Sequence, residues 1–361
     1  MSAFCLHISN ERFTVEEICS WNGKHTDSYV AETLTYCKQW LEGEEHFELK
    51  TSGSTGTPKI IQIHRSQIEA SATATLHFFD LQPGHAVCCP LSIHVIGGQM
   101  MLYRSIIGRL NLYVIPPTKN LEALDLSIDY IFMPIAALQL FEVLNNRPQK
   151  IAVLNKLTHL LIGGSTLTDT LLMRIKNILN CNVWQSYGMT ETVSHIAMRS
   201  IHPIIADAYT LLEQIEAKVD ERSCLKIKGS VTDNEWLQTN DCVELLDDTH
   251  FIFQGRADFT VNSGGIKIQV EPIEKIIDTL FSELNIHAPF FVGGIADDAL
   301  GARLILAIDT VLIDSAKQQL IIKKLSEVLP KYHVPKEIQT IVFEYTPSGK
   351  IDRKKTLKIK G

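Results

Sequence analysis

The chain has 361 residues, 34 Lys and Arg against 41 Asp and Glu, a formal net charge of −7, and 45% hydrophobic residues. That balance belongs to a globular protein with room for two or three domains and a substantial core. It excludes a disulfide-stapled miniprotein and argues against a dedicated nucleic-acid binder, which needs surplus Lys and Arg on one surface.

Residues 1–12 show no basic segment followed by an apolar run, so no signal peptide is expected and the expected location is cytoplasmic. The most apolar stretch, 95–117, is interrupted by Arg104 and Arg109 and holds a Gly pair, which reads as core helix and strand, not a membrane span. The eight cysteines form no C-x-x-C pair and the thirteen histidines no H-E-x-x-H. Reduced thiols acting as small hydrophobes, and no protein-built zinc site, are expected.

In chain order, short apolar runs at 86–90, 110–115, 130–133, 159–162 and 182–185 read as buried strands, and amphipathic stretches at 66–79, 135–145 and 168–179 as helices between them. That alternation predicts an α/β fold with parallel sheet and helices on its faces. From 213 to 253 the pattern shortens to alternating strands, including 224–228 and 250–253, which suggests a small antiparallel or barrel-like subdomain. A boundary is expected at 255–258, because a new pattern follows: a helix over 271–281, then strands over 290–296 and 302–309. The predicted organisation is a large domain over 1–257 and a small α+β domain over 258–361. The C-terminal end is basic, with Lys350, Arg353, Lys354, Lys355, Lys358 and Lys360 facing only Asp352.

Four segments carry chemistry. Thr51-Ser52-Gly53-Ser54-Thr55-Gly56-Thr57-Pro58-Lys59 offers hydroxyls, an ammonium and, through its glycines, closely approaching backbone N–H groups to phosphate oxygens, although a solvated turn has the same composition. The Walker pattern is absent, which disfavours a P-loop kinase or GTPase. Ser186-Tyr187-Gly188-Met189-Thr190-Glu191-Thr192 follows a buried run, so a ring, a hydroxyl and a carboxylate sit at a strand's carboxyl end, where α/β sheets bind ligands. The ring could stack on a base and Glu191 could hold Mg²⁺; Thr190 followed by an acidic residue would equally suit a helix start. Asp241, with Arg256 and Asp258 beyond it, could hold ribose hydroxyls. Thr346-Pro347-Ser348-Gly349-Lys350 reads as a turn that projects a lysine.

Taken in order, these segments resemble the adenylate-forming superfamily of acyl-CoA synthetases, nonribosomal-peptide adenylation domains and luciferases. The phosphate loop matches Thr51–Lys59, the adenine segment Gly163-Gly164-Ser165, the Y-G-x-T-E motif Tyr187–Glu191 and the ribose aspartate Asp241. The G-R-x-D hinge matches Gly255–Asp258, a following glycine motif Asn262-Ser263-Gly264-Gly265, and the S-G-K motif Ser348–Lys350.

The resemblance implies ATP, Mg²⁺ and coenzyme A as cofactor and co-substrates, and two half-reactions: a carboxylate attacks the α-phosphate of ATP, then a thiol attacks the acyl-adenylate. It implies Lys350 bridging carboxylate and phosphate, Thr190 and the Thr51–Lys59 loop on the phosphates, Glu191 on the metal, and Ser186, Tyr187, Gly188, Met189, Asp241 and Arg256 around the nucleotide. It also implies a C-terminal domain that swings about Asp258 and brings Ser263, Gly264 and Gly265 to the CoA side. Two positions depart from the pattern: Asn240 stands where Gly is usual, and Ile60 follows the loop lysine.

The phosphate loop begins at Thr51, far earlier than is usual in the superfamily, and the stretch Tyr187–Ser194 resembles the Y-G-M-T-E-T-x-S signature of compact o-succinylbenzoate-CoA ligases of menaquinone synthesis. That reading expects Thr192, Ser194 and His195 to line the acyl pocket, His94 to gate it, and Arg104 to be a candidate partner for a second carboxylate. Other aryl- or fatty-acyl-CoA ligases, a nonribosomal adenylation domain and a non-catalytic nucleotide-binding protein are the alternatives. Small molecules are the expected partners, with a homodimer carried as an expectation and neither nucleic acid nor an integral membrane segment.

Overall fold

The buried runs read from the sequence lie side by side in one sheet, and their side chains alternate between two apolar cores. The computed structural model describes residues 3–50, 60–163, 167–286, 288–298, 300–309, 313–345 and 351–358. The expected phosphate loop Thr51–Lys59, the adenine-segment residues Gly164 and Ser165, and Lys350 lie outside the described residues.

The chain opens with β1 (Cys5–Ile8), β2 (Glu11–Thr14), α1 (Val15–Ser20), α2 (Ser28–Leu41), β3 (His46–Lys50), β4 (Ile60–His64) and α3 (Arg65–Phe78). There follow β5 (Ala86–Cys89), α4 (Ile96–Ile107), β6 (Asn111–Val114), β7 (Phe132–Ala136), α5 (Ala137–Asn146), α6 (Pro148–Leu154), β8 (His159–Gly163), α7 (Asp169–Ile178) and β9 (Asn182–Gly188). Then come β10 (His195–His202), β11 (Tyr209–Leu211), β12 (Glu216–Val219), β13 (Cys224–Lys228), β14 (Leu237–Leu245) and β15 (His250–Arg256). The remainder is β16 (Val261–Ser263), β17 (Ile266–Ile268), α8 (Glu271–Glu283), β18 (Phe290–Asp297), β19 (Gly301–Asp309), α9 (Ser315–Val328), β20 (Glu337–Ile341) and α10 (Arg353–Thr356).

The main sheet runs β12-β13-β14-β15-β11-β10-β9-β8-β7-β5-β6-β1-β2, and β1, β6, β5, β7, β8 and β9 are parallel. Within it Val87, Leu112 and Leu161 face one core, shared with Leu34 of α2, Leu76 of α3 and Leu102 of α4. Met133, Leu160 and Ile162 face the other, with Leu140 of α5, Leu154 of α6 and Ile175 of α7. Side chains alternate with period two, so a strand covered by helices on both faces is apolar at every position. This is why the runs were legible.

The strand read at 130–133 lies instead at Phe132–Ala136, with Pro134 inside it, and the helix read at 135–145 starts at Ala137. Proline lacks an N–H, and β7 tolerates it because its ladder to β5 is only the single pair Val87–Phe132. The short strands from β10 to β15 are hydrogen-bonded into this same sheet as its antiparallel extension. Among the described residues no helix is long and apolar enough to cross a membrane.

Residues after Arg256 build a core of their own, in which Ile273 and Ile277 of α8 and Ile321 and Leu325 of α9 cover Leu304 and Leu306 of β19. β19 pairs antiparallel with β18 and parallel with β20. Gly264 and Gly265, at φ 58° and 81°, form the two-residue turn between β16 and β17, where both central residues need positive φ. Contact with the first part runs through α7 and β15: Asp169 accepts from Thr279 Oγ1 at 2.8 Å and meets Lys275 Nζ at 3.5 Å, and the Arg256 N–H donates to Glu271 Oε1 at 2.8 Å.

At the carboxyl end of β9 the chain turns back closely. A Cβ on Gly188 would stand 2.2 Å from Ser194 O and 2.4 Å from His195 Cα, both backbone atoms of the returning segment. Gly188→Ala is therefore expected to push the start of β10 outward and lower stability by about 1–3 kcal/mol, read as a lower urea midpoint with an unchanged m-value.

Candidate active site

β8 and β9 end together at the carboxyl edge of the parallel sheet, the usual place for ligands in such sheets. There Ser186 Oγ donates to Ile162 O at 3.4 Å, and a Cβ on Gly163 would meet Ser186 Oγ at 3.3 Å, so the start of the adenine segment and the Tyr187 motif are neighbours. Residues Thr190–Thr192 form one 3₁₀ turn. Buried Thr192 holds that turn: its hydroxyl accepts from Met189 N–H at 3.1 Å and donates to Ser194 O at 2.7 Å. Its described contacts organise backbone. Glu191 is exposed on the turn and Thr190 half-buried. Among the described residues no three His, Cys, Asp or Glu side chains cluster as a cage for a metal ion. A single exposed carboxylate fits a Mg²⁺ held chiefly by phosphates and water.

The densest polar arrangement joins β9, β14 and β15. Tyr187 donates through its hydroxyl to Asp241 Oδ2 at 2.7 Å, and Arg256 Nη1 reaches Asp241 Oδ1 at 3.0 Å. Arg256 Nη2 also binds Asp258 Oδ2 at 2.8 Å. The Tyr187 ring packs against Tyr209, Phe251 and Phe253, and burial followed by the Asp241 charge pushes its phenol far up, so it remains a donor. Asp241 is buried, yet each carboxylate oxygen keeps one lone-pair site beyond the bond described. A vicinal diol could occupy those sites. Beside this cluster Gly255 sits at φ 137°, a conformation that demands glycine, and a Cβ there would lie 2.5 Å from Glu271 Oε2 and displace that carboxyl. Burial raises the Glu271 carboxyl.

A second polar cluster lies under β10. Arg104, on α4, is buried and donates from Nε to Thr75 Oγ1 at 3.1 Å and from Nη2 to Ser194 Oγ at 2.8 Å. Ser194 Oγ lies 2.6 Å from Ser71 Oγ, and Thr75 Oγ1 lies 2.8 Å from His195 Nε2. Among the described residues no carboxylate pairs with Arg104, and burial lowers its pKa to about 9. Ser71 and His195, with Ala74, Ile196, Leu212 and Val231, line a cleft of about 190 Å³.

Thus the structure brings His195 to the cleft wall, sets Ser194 behind the lining residue Ser71, and joins Tyr187, Asp241, Arg256 and Asp258 in one cluster. It does not join His94 to either: the exposed His94 ring meets Glu32 at 3.3 Å and the edge of Tyr29, both on α2. Ser263 is buried in β16, and Gly264 and Gly265 turn its hairpin. Residues that the motifs did not flag include Ser71 and Thr75, one helical turn apart on α3, and the pair Arg353–Glu274. Arg353, three residues after Lys350, meets Glu274 at 2.8 Å and lies over the Phe259 ring, while Tyr345 and Ile351 pair across the segment that carries Lys350.

Burial first, then Arg104, holds His195 far below its ordinary value of 6.5, so the folded protein keeps it neutral while the unfolded chain protonates it below that pH. Unfolding then takes up a proton, and stability falls as pH drops through 6.5 by up to about 1.4 kcal/mol per pH unit. Urea unfolding at pH 7.5 and 5.5 is expected to show this loss, and His195→Gln to reduce it.

The description "AMP-binding enzyme" belongs to the family model that matches residues 49–222. An acyl-CoA synthetase (AMP-forming)/AMP-acid ligase II-like protein from Dyadobacter fermentans is 35% identical with a TM-score of 0.64, over 95% of this chain and 97% of that one. O-succinylbenzoate coenzyme A synthetase from Bacillus subtilis, in complex with ATP and magnesium ion, is 20% identical with a TM-score of 0.70, over 86% of this chain and 69% of that one, a likeness of fold. A D-alanine–D-alanyl carrier protein ligase from Listeria monocytogenes is 23% identical over 86% of this chain and 69% of its own length. With a relative at 35% identity matched over nearly its whole length, and with the motifs of the carboxyl edge in place, the chain belongs to the AMP-binding, adenylate-forming enzyme family.

Proposed function

We propose that this protein is an ATP-dependent acid–thiol ligase that activates a carboxylic acid as its adenylate and passes the acyl group to coenzyme A, and that the acid carries a second carboxylate. O-succinylbenzoate is the substrate we favour, which would place the enzyme in menaquinone synthesis. The observation that carries the dicarboxylate reading is Arg104, a buried cation with no carboxylate partner among the described residues, one hydroxyl away from the cleft wall. A buried charge is costly until it is paired. A carboxylate accepting from Ser71 would have that guanidinium behind it, one hydroxyl away through Ser194. An amino-acid ammonium, as a D-alanine ligase requires, would be repelled there, and a plain fatty acyl chain would leave Arg104 without a counter-charge.

In the first half-reaction a carboxylate oxygen attacks the α-phosphorus, the bond to the pyrophosphate oxygen breaks, and acyl-adenylate forms. Asp241, held by Tyr187 and Arg256, accepts from the ribose hydroxyls and so fixes the nucleotide. Glu191 would hold Mg²⁺, which when bound offsets the negative charge of the phosphates. Lys350 and the loop Thr51–Lys59, outside the described residues, complete the cationic surround. The thiol then attacks the acyl carbonyl and AMP leaves. That step requires the lysine to withdraw, and we propose that the unit after Asp258 swings to allow it.

A pyrophosphate-release assay over a panel of acids, with and without CoA, tests the reading. Release with o-succinylbenzoate and consumption of CoA are expected; turnover only with benzoates or long-chain acids would replace the substrate, transfer of D-alanine to a carrier protein would replace the acceptor, and no release with any acid would leave a nucleotide-binding protein. Arg104→Gln, which keeps hydrogen-bonding capacity without the charge, should lower kcat/KM for the dicarboxylate by roughly 30- to 1000-fold and leave an uncharged-tail acid nearly unaffected. Lys350→Ala should slow adenylate formation by roughly 100- to 1000-fold while sparing thioester formation from a preformed adenylate; equal loss in both half-reactions would remove Lys350 from its role.

A further inference from the structure

Seven of the eight cysteines are buried, and two of these face one another. The antiparallel register of β13 and β14 sets Cys224 opposite Cys242, with their Sγ atoms 3.7 Å apart. The Val243 N–H donates to Ser223 O at 2.9 Å across the next position, so the pair occupies a non-hydrogen-bonded site of the ladder. At such sites opposite Cα atoms approach to about 4.5 Å, within the separation of about 4.4–6.8 Å that a disulfide spans.

The backbone around the pair is not locked into a regular ladder. The β13–β14 register shifts between Cys224 and Lys226, and the β14–β15 register shifts between Cys242 and Val243. Closing the bond requires the sulfurs to move from 3.7 Å to about 2.05 Å, and these irregular positions can take up that movement. Cys242 follows Asp241 directly and pairs with Gly255, the neighbour of Arg256. A shift of Cys242 therefore reaches the carboxylate held by Tyr187 and Arg256.

We propose that Cys224 and Cys242 are a reversible thiol–disulfide site, formed with a low-molecular-weight disulfide as oxidant, whose closure weakens nucleotide binding at Asp241 and Arg256. The consequence for the nucleotide rests on the function proposed above; the disulfide itself does not. The less buried thiol, Cys242, loses its proton and attacks one sulfur of the oxidant, releasing one thiolate and leaving a mixed disulfide. The thiolate of Cys224 then attacks Cys242 Sγ and releases the second. Two protein thiols are oxidised and one small disulfide is reduced to two thiols, and a reducing thiol in excess reverses both steps. Burial and the facing Cys242 thiol push Cys224 up to about 11, so Cys224 rests in the thiol form near neutral pH.

The test is incubation of the reduced protein with glutathione disulfide, followed by alkylation, non-reducing peptide mapping and calorimetric titration with ATP. A cross-linked peptide joining Cys224 to Cys242 is expected, with ATP affinity lowered by roughly tenfold and restored by dithiothreitol. Cys242→Ala, which lacks the attacking thiol, should bind ATP as the reduced parent does and keep that affinity under oxidant; Cys242→Ser is the second control should the first fail to fold. Absence of the cross-link, unchanged affinity in cross-linked protein, or the same oxidant sensitivity in the variants would overturn the proposal. A reduced protein without affinity for ATP would instead count against the nucleotide reading, and the peptide map would still decide the disulfide.

Discussion

The Asp241 carboxylate, held between the Tyr187 hydroxyl and the Arg256 guanidinium, is the constraint on which the candidate site depends. It joins the end of β9, where the parallel sheet delivers the Tyr187 motif, to β14 and β15 of the antiparallel extension, and through Arg256 to Asp258. A buried carboxylate is stable only when it is paired and hydrogen-bonded. Here the partners come from both halves of the sheet, so the same contacts that offset its burial also fix the distance between those halves. Phe251 and Tyr209, stacked at 5.5 Å beside the Tyr187 ring, support the arrangement with apolar area.

Arg104 presents the opposite case. Its guanidinium donates to two hydroxyls, and hydroxyls do not neutralise a charge. The protein bears part of this cost by keeping His195 neutral, because a second cation beside Arg104 would add repulsion to desolvation. An uncompensated buried charge one hydroxyl behind a cleft resembles a site prepared for an anion.

What was legible in the sequence divides along physical lines. Strands buried on both faces were readable because burial writes itself as continuous apolar runs, as at 86–90 and 159–162. Pro134 concealed the true limits of β7, since its missing N–H argues against a strand unless the neighbouring ladder is incomplete. Tyr187, Gly188, Asp241 and Arg256 were readable because their spacing is contiguous within motifs. Ser71 and Thr75 were not, because they belong to a helix whose contact with Ser194 and His195 spans up to 123 residues of sequence, and Arg104 was readable as a cation without its hydroxyl partners. The facing thiols escaped for a related reason. Pairing across a ladder depends on register, and no C-x-x-C spacing reports it.

The join between the two cores bears on the proposed swing. The Lys275–Asp169 pair is half exposed on both sides, and such surface pairs contribute about 0–1 kcal/mol. The Thr279–Asp169 and Arg256–Glu271 hydrogen bonds add modestly, the latter to a carboxyl that burial has already made less willing to stay charged. Within the C-terminal unit, by contrast, Arg353 and Glu274 form a close ion pair beneath the Phe259 ring, next to the segment that bears Lys350. The weak contacts are thus between the units and the strong one is inside the unit proposed to move. A two-step ligase needs that distribution: the lysine segment must keep its place on its own unit while the unit itself changes place.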